Sequence, residues 1–99
     1  MQITETREGE VIQLTVEGRV DTTTAPDLQK KILDAYQKCK HVVLDFRSVE
    51  YISSAGLRAL LLGQKTATSK GGTLKILNVG PTVKQVFDMS GFSKILTVV

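Results

Sequence analysis

Ninety-nine residues leave room for one domain, spanning 1–99, and not for two. With 41% hydrophobic and 23% charged residues the chain has the balance of a globular protein with a modest core, and a single Cys39 and a single His41 exclude a disulfide framework or a His/Cys zinc cluster, so no cofactor is expected. The formal charge of +3 is spread from Arg7 to Lys94, its longest run is Lys30-Lys31, and aromatic residues are 5% with no Trp, unlike the clustered charge and interleaved aromatics of a nucleic-acid binder.

The N-terminal MQITETREGE is polar and acidic rather than a secretory leader, and no apolar run approaches the roughly 18–20 residues of a membrane span, so a cytoplasmic protein is expected. Ile3 to Arg7 reads as a weak strand, and Glu8-Gly9-Glu10 as a hairpin turn into a second strand. Val11 to Glu17 alternates apolar and polar residues, the pattern of a half-buried strand, and Gly18 is expected to end it. Thr24-Ala25-Pro26-Asp27 carries the marks of a helix start: a capping hydroxyl, a proline in the first turn and an acid near the positive end of the helix dipole. Leu28, Ile32, Ala35, Tyr36 and Cys39 follow at helical spacing, with Lys38 and Lys40 suited to a last turn. Cys39 on that apolar face reads as core rather than nucleophile, and His41 as a solvated residue before the next strand.

Val42 to Phe46 is nearly all apolar, which predicts a strand buried on both faces, and 47–52 reads as a connection. Ser53-Ser54-Ala55-Gly56 opens a second helix with Leu57, Leu60, Leu61 and Ala67 on one face, stopped by Gly71-Gly72. Those glycines follow a helix and precede a strand, the reverse of the order a phosphate-binding loop requires. Thr73 to Leu77 reads as a strand, Gly80-Pro81 as the start of a third helix carrying Val83, Val86 and Phe87, Gly91 as its left-handed terminator, and Ile95 to Val99 as a last strand. The element order ββαβαβαβ predicts an α/β fold with a mixed, mostly parallel sheet and right-handed crossovers. Sites in such sheets lie beyond the carboxyl ends of strands, which directs attention to Arg19–Pro26 and Phe46–Gly56.

The sharpest local feature joins Leu44-Asp45-Phe46 to Tyr51-Ile52-Ser53-Ser54-Ala55-Gly56-Leu57. Small hydroxyl residues stand there at a helix N-terminus, where free backbone N–H groups favour negative charge. A phosphoryl group on Ser54 would be tolerated at such a place. Read locally, capping by Ser53 is the commoner role of such serines. Asp45 and Asp21 each read equally well as loop-fixing carboxylates. Neither has a third group to make it a general base, so no catalytic residue is assigned.

The whole chain resembles the STAS domain of bacterial anti-sigma factor antagonists. The resemblance is carried by Val16-Glu17-Gly18-Arg19-Val20-Asp21, Val43-Leu44-Asp45-Phe46, Tyr51-Ile52-Ser53-Ser54-Ala55-Gly56-Leu57 and Val83-Lys84-Gln85-Val86-Phe87-Asp88-Met89-Ser90-Gly91-Phe92. It implies a non-enzymatic partner switch. The unphosphorylated domain binds a GHKL-type serine kinase that doubles as an anti-sigma factor, freeing a sigma factor or another target. Phosphorylation at Ser54 (alternatively Ser53) ends that binding, and a metal-dependent serine phosphatase restores it. The resemblance places Asp21, Thr22, Thr23, Ser53, Ser54, Ala55, Gly56 and Arg58 at the partner surface, with Asp45 supporting the phosphosite. No direct nucleic-acid or membrane contact and a monomer are expected, the first two from the scattered charge and the short apolar runs. Two departures stand out: Ser53 occupies a position where many family members carry Asp, and the helix that commonly follows the last strand is expected to be absent or reduced. The alternative within the same fold is an unphosphorylated STAS subunit of a lipid-transport or transporter-associated assembly.

Overall fold

The two-residue alternation that begins at Val11 continues over 41–46 and through Thr73–Leu77 of one sheet. A computed structural model, describing all residues Met1–Val99, contains strands β1 (Gln2–Glu8), β2 (Val11–Val20), β3 (His41–Ile52), β4 (Thr73–Leu77) and β5 (Thr97–Val98). Between them lie helices α1 (Ala25–Tyr36), α2 (Ser54–Ser69) and α3 (Pro81–Ser90) and a 3-10 turn over Phe92–Lys94. The strands stand side by side in chain order, β1 antiparallel to β2 and every later pair parallel. This matches the predicted ββαβαβαβ order and mixed, mostly parallel sheet.

Strands laid down always in one direction through right-handed crossovers place every helix on the same face. The registered rows follow from that. Leu14, Leu44 and Ile76 are paired across the sheet and fully buried, whereas the next row, Gln13, Val43 and Lys75, is half-buried to exposed. The prediction that β3 is buried on both faces is therefore corrected: Val42, Leu44 and Phe46 face the helices, and Val43 and Asp45 point to the other, open side. A single cluster forms the core, with Leu28 and Ile32 from α1, Leu57 and Leu60 from α2, and Val83 and Phe87 from α3. It contains no buried charged side chain.

Several element boundaries differ from the sequence reading. Segment 47–52 is not a connection but the second half of β3, and β2 runs past Gly18 to Val20. Seven steps of β3, Asp45 to Ile52, lie opposite five of β2, Thr15 to Val20. Bulges absorb the two extra residues, so the buried Val49 and Ile52 are three apart rather than two, and the strand period is hidden. Gly18 takes φ +103° beside one of these irregularities, a conformation glycine adopts without penalty. Helix α1 ends at Tyr36, so Cys39, Lys38 and Lys40 lie beyond it. Cys39 remains buried, its thiol donating to the His41 carbonyl at 3.2 Å. Lys38 reaches Glu5 of β1 at 2.9 Å. His41 opens β3, with Nδ1 2.9 Å from the Thr73 hydroxyl. The last strand is only Thr97–Val98, because Phe92–Lys94 forms the 3-10 turn and Leu96 is drawn into the core.

Candidate functional site

Strands β2 and β3 outrun β4. Leu77 ends β4 opposite Asp45, while the longer pair continues until Val20 meets Ile52. From that shared end the chain turns into α1 through Asp21–Thr24 and into α2 through Ser53. The Ser53 N–H donates to the Val20 carbonyl at 2.8 Å, which fixes the two turns side by side.

The first turn is organised by one carboxylate oxygen. Asp21 Oδ1 accepts from the Thr23 N–H at 3.0 Å, the Thr23 hydroxyl at 2.7 Å and the Thr24 N–H at 3.2 Å, and lies 3.2 Å from the Thr24 hydroxyl, whose one proton it shares with the Arg19 carbonyl. These bonds, led by that of the Thr23 hydroxyl, outweigh partial desolvation and hold the Asp21 carboxyl below the usual carboxylate range. Thr24 precedes α1 as expected but does not cap it through its side chain. Its hydroxyl instead accepts from the Asp21 N–H and reaches the Arg19 carbonyl, each at 2.8 Å, so the loop is closed on itself. Thr22 and Thr23 are exposed at its tip.

The second turn divides the two serines. Ser53 is extended (φ −93°, ψ 175°) and half-buried, and its hydroxyl accepts from the Gly56 N–H at 3.3 Å as the N-cap of α2. Ser54, the first helical residue, is exposed, and its hydroxyl has no hydrogen-bond partner within the chain. Gly56 is buried. A Cβ there would stand 2.6 Å from Ile52 Cγ1 and 2.7 Å from Val20 Cγ1, so its role is to let the first turn of α2 press on the strand ends. That corrects its placement among surface contact residues. Ala55 and Arg58 lie on the outer side and share with Thr22, Ala25, Pro26 and Gln29 an open depression of about 370 Å³ between the starts of α1 and α2. Pro26 closes the segment Arg19–Pro26 to which the sequence directed attention, whereas Gln29 was not singled out, although it follows Ala25 by one helical turn. On the other side of the same strand end, the Arg19 guanidinium sits 4.4 Å from the centre of the Tyr51 ring.

Asp45 does not join this group. It lies within β3 rather than at its end, five β2-register steps before Ile52, which at strand rise is about 15–20 Å. Its Oδ1 accepts from the Asn78 side-chain amide and the Arg47 N–H, each at 3.0 Å. Desolvation raises the Asp45 carboxyl, but the Asn78 amide, the Arg47 N–H and the Arg47 charge together bring it below its ordinary value. Asp45 thus braces the β4–α3 turn, where Asn78 takes a positive φ of 57°. No three His, Cys, Asp or Glu side chains converge at a metal-holding distance, and no helix is long and apolar enough to cross a membrane.

A mixed sheet covered on one face, with a serine-tipped helix beside an aspartate-pinned loop at the strand end, is the architecture of a STAS domain. A family model described as STAS domain matches residues 2–99, and the chain belongs to that family. Its relatives include the anti-sigma F factor antagonist of Paenibacillus polymyxa, 30% identical over 89% of this chain and 77% of that protein. A putative anti-sigma factor antagonist, BtrV, of Bordetella bronchiseptica is 37% identical over 84% of this chain and 72% of its own. Among solved structures, a putative anti-sigma factor antagonist from Thermotoga maritima superposes with a TM-score of 0.90 at 19% identity, covering 97% of this chain and 84% of that one. The Bacillus cell-fate determinant SpoIIAA in its phosphorylated form gives a TM-score of 0.77 at 19% identity, covering 99% and 91%.

Proposed function

We propose that this domain is an anti-sigma factor antagonist that works as a phosphorylation-gated binding module. Unmodified, it docks the Asp21–Thr23 loop and the start of α2 on a serine kinase of the GHKL type that also serves as an anti-sigma factor, and so frees a sigma factor or other target. The kinase transfers the γ-phosphoryl group of ATP to Ser54 Oγ: the new P–O bond replaces the bond to ADP, and the hydroxyl proton leaves to a base on the kinase. A metal-dependent serine phosphatase reverses the step. The domain needs no chemistry of its own.

One observation carries the choice of residue: Ser54 offers a free, exposed hydroxyl, whereas the Ser53 hydroxyl is held by the cap. The names of the curated relatives supply the antagonist reading. The physics of the switch is electrostatic. A phosphoryl group brings about −1.5 to −2 charges at neutral pH. Against a partner surface shaped for a neutral hydroxyl, the desolvation and like-charge cost is about 3–4 kcal/mol, or two to three decades in affinity.

The test is a pull-down from the native host with wild-type, Ser54→Ala and Ser54→Asp baits, followed by incubation of the captured partner with ATP and mapping of the phosphopeptide. The expected result is an ATP-binding serine kinase retained by wild type and Ser54→Ala and lost with Ser54→Asp, with phosphate on Ser54 of the wild-type chain. Capture of transporter or lipid-transport subunits by all three baits, with no phosphate incorporated, would replace this reading with the assembly-subunit one.

A further inference from the structure

Two arginines stand near the working end of the sheet, and only one is engaged. Arg19 lies over the Tyr51 ring. The ion pairs of the chain join Lys30 to Asp34, Lys38 to Glu5 and Lys84 to Asp88. Arg58 belongs to none of them; it is exposed, and no side-chain hydrogen bond occupies it. The carboxylate in the facing loop, Asp21, has its Oδ1 committed to Thr23 and Thr24 rather than to this cation.

The position of Arg58 gives the free cation a use. It follows Ser54 by four residues on α2, so the two side chains stand one turn apart on the same side of the helix. Helical side chains lean toward the N-terminus, which carries the guanidinium back over the first turn instead of away from it. The surface depression between the two helix starts has Arg58 and Ala55 of that first turn on its α2 side and Thr22 across the gap, while Ser54 stands just outside its lining. A guanidinium is planar and presents paired N–H donors that match two oxygens of a phosphate.

We propose that Arg58 is the intramolecular counter-ion of a phosphoryl group on Ser54. The inference rests on the reading of Ser54 as the modified residue and adds a second consequence to the modification. Besides placing a dianion on the docking end, phosphorylation withdraws the free cation of that end from a partner's carboxylates. One chemical event then reverses the local charge instead of only adding to it.

The experiment uses the full chain with phosphoserine installed at position 54 during translation, so that no kinase is needed. The second ionisation of the phosphate is followed by phosphorus NMR between pH 4 and 8 in the wild-type, Arg58→Gln and Arg58→Lys proteins. The backbone N–H groups of the first turn, Asp21, Arg19, Glu50 and Tyr51 are the other charged or polar influences from the surrounding elements, and they are common to all three proteins. The wild-type phosphate should ionise about half a pH unit lower than in Arg58→Gln, the size expected of an exposed ion pair, with Arg58→Lys between. The difference should collapse in about 1 M salt, where the screening length is about 3 Å. Circular dichroism should be the same for all three, which separates loss of the pair from loss of the fold. Coincident titration curves for wild type and Arg58→Gln would overturn the pairing. Failure here leaves the kinase experiment on Ser54 untouched, whereas failure of that experiment removes the regulatory role of the pair even where the installed phosphate titrates as expected.

Discussion

Two adjacent serines differ in role by one step of helix phase. Ser53, just outside α2, has the extended backbone that brings its hydroxyl to the Gly56 N–H, while Ser54 is already helical and its hydroxyl points outward. Ser53→Ala should therefore cost about 1 kcal/mol through the lost cap, a fall of about 4–8 °C in the melting midpoint. Ser54→Ala should change stability by less than about 0.5 kcal/mol, as at other exposed sites. Thermal melts of the two variants check this, and the reverse ranking would show that the capping hydroxyl has been assigned to the wrong residue. Gly56 lies three positions further on, where two effects oppose. Alanine is the better helix former by about 1 kcal/mol. Its methyl group would enter within 2.6–2.7 Å of Ile52 and Val20, and overpacking of this kind costs about 1–3 kcal/mol. Both neighbours are core residues backed by packed strands, so the clash should win and Gly56→Ala should lower the midpoint in the same melts. A raised midpoint would mean that Ile52 and Val20 can yield.

At the scale of elements, the β2–α1 turn depends on the charge of Asp21. Its carboxyl titrates below the ordinary range, chiefly because of the Thr23 hydroxyl, with the N–H groups of Thr24 and Thr23 and the Thr24 hydroxyl adding against desolvation. A folded value below the unfolded one means that the stabilisation is complete above about pH 4 and is lost as pH falls through the folded value. Urea denaturation of wild type and Asp21→Asn at pH 7, 5 and 3 should show a stability gap at the two higher values that narrows at pH 3. A gap independent of pH would show that the turn is held by geometry rather than charge. This turn also marks how far the sequence could be read. The Asp-Thr-Thr-Thr run before a proline announced a loop and a helix start, and Ser53-Ser54 announced another, because capping residues act locally. The β3 extension was not announced: two bulges put Val49 and Ile52 out of the period-2 pattern, so a buried strand carried the signature of a loop. Asp45 looked like the end of a strand because the apolar run stops at Phe46, where the first of these bulges begins. Gly56 carried no sign of its buried role, since the contacts that require it, Val20 and Ile52, lie in strands whose full length was itself hidden.

For the molecule as a whole, the order of strands decides what phosphorylation can do. Because the sheet grows in one direction, all three helices share one face and there is one apolar cluster beneath them, with no buried charged side chain and with its Tyr36 hydroxyl tied to the Thr73 carbonyl at 2.8 Å, at the opposite end of the strands from Ser54. A domain of this size is held by about 5–15 kcal/mol. A charge placed on the exposed Ser54 and met by first-turn N–H groups perturbs that total by about 1 kcal/mol or less. The switch should therefore operate at the surface, with the fold of the modified and unmodified proteins the same. Amide spectra of the two forms should differ within 19–24 and 52–58, the segments joined by the Ser53–Val20 hydrogen bond and by the depression between α1 and α2. Hydrogen-exchange protection of the paired amides in β2, β3 and β4 should be unchanged. Shifts spread through α3 or β4, or a drop in protection across the parallel ladder, would instead mean that the phosphoryl group acts by rearranging the core. The loss of partner binding would then need a conformational explanation in place of a steric and electrostatic one.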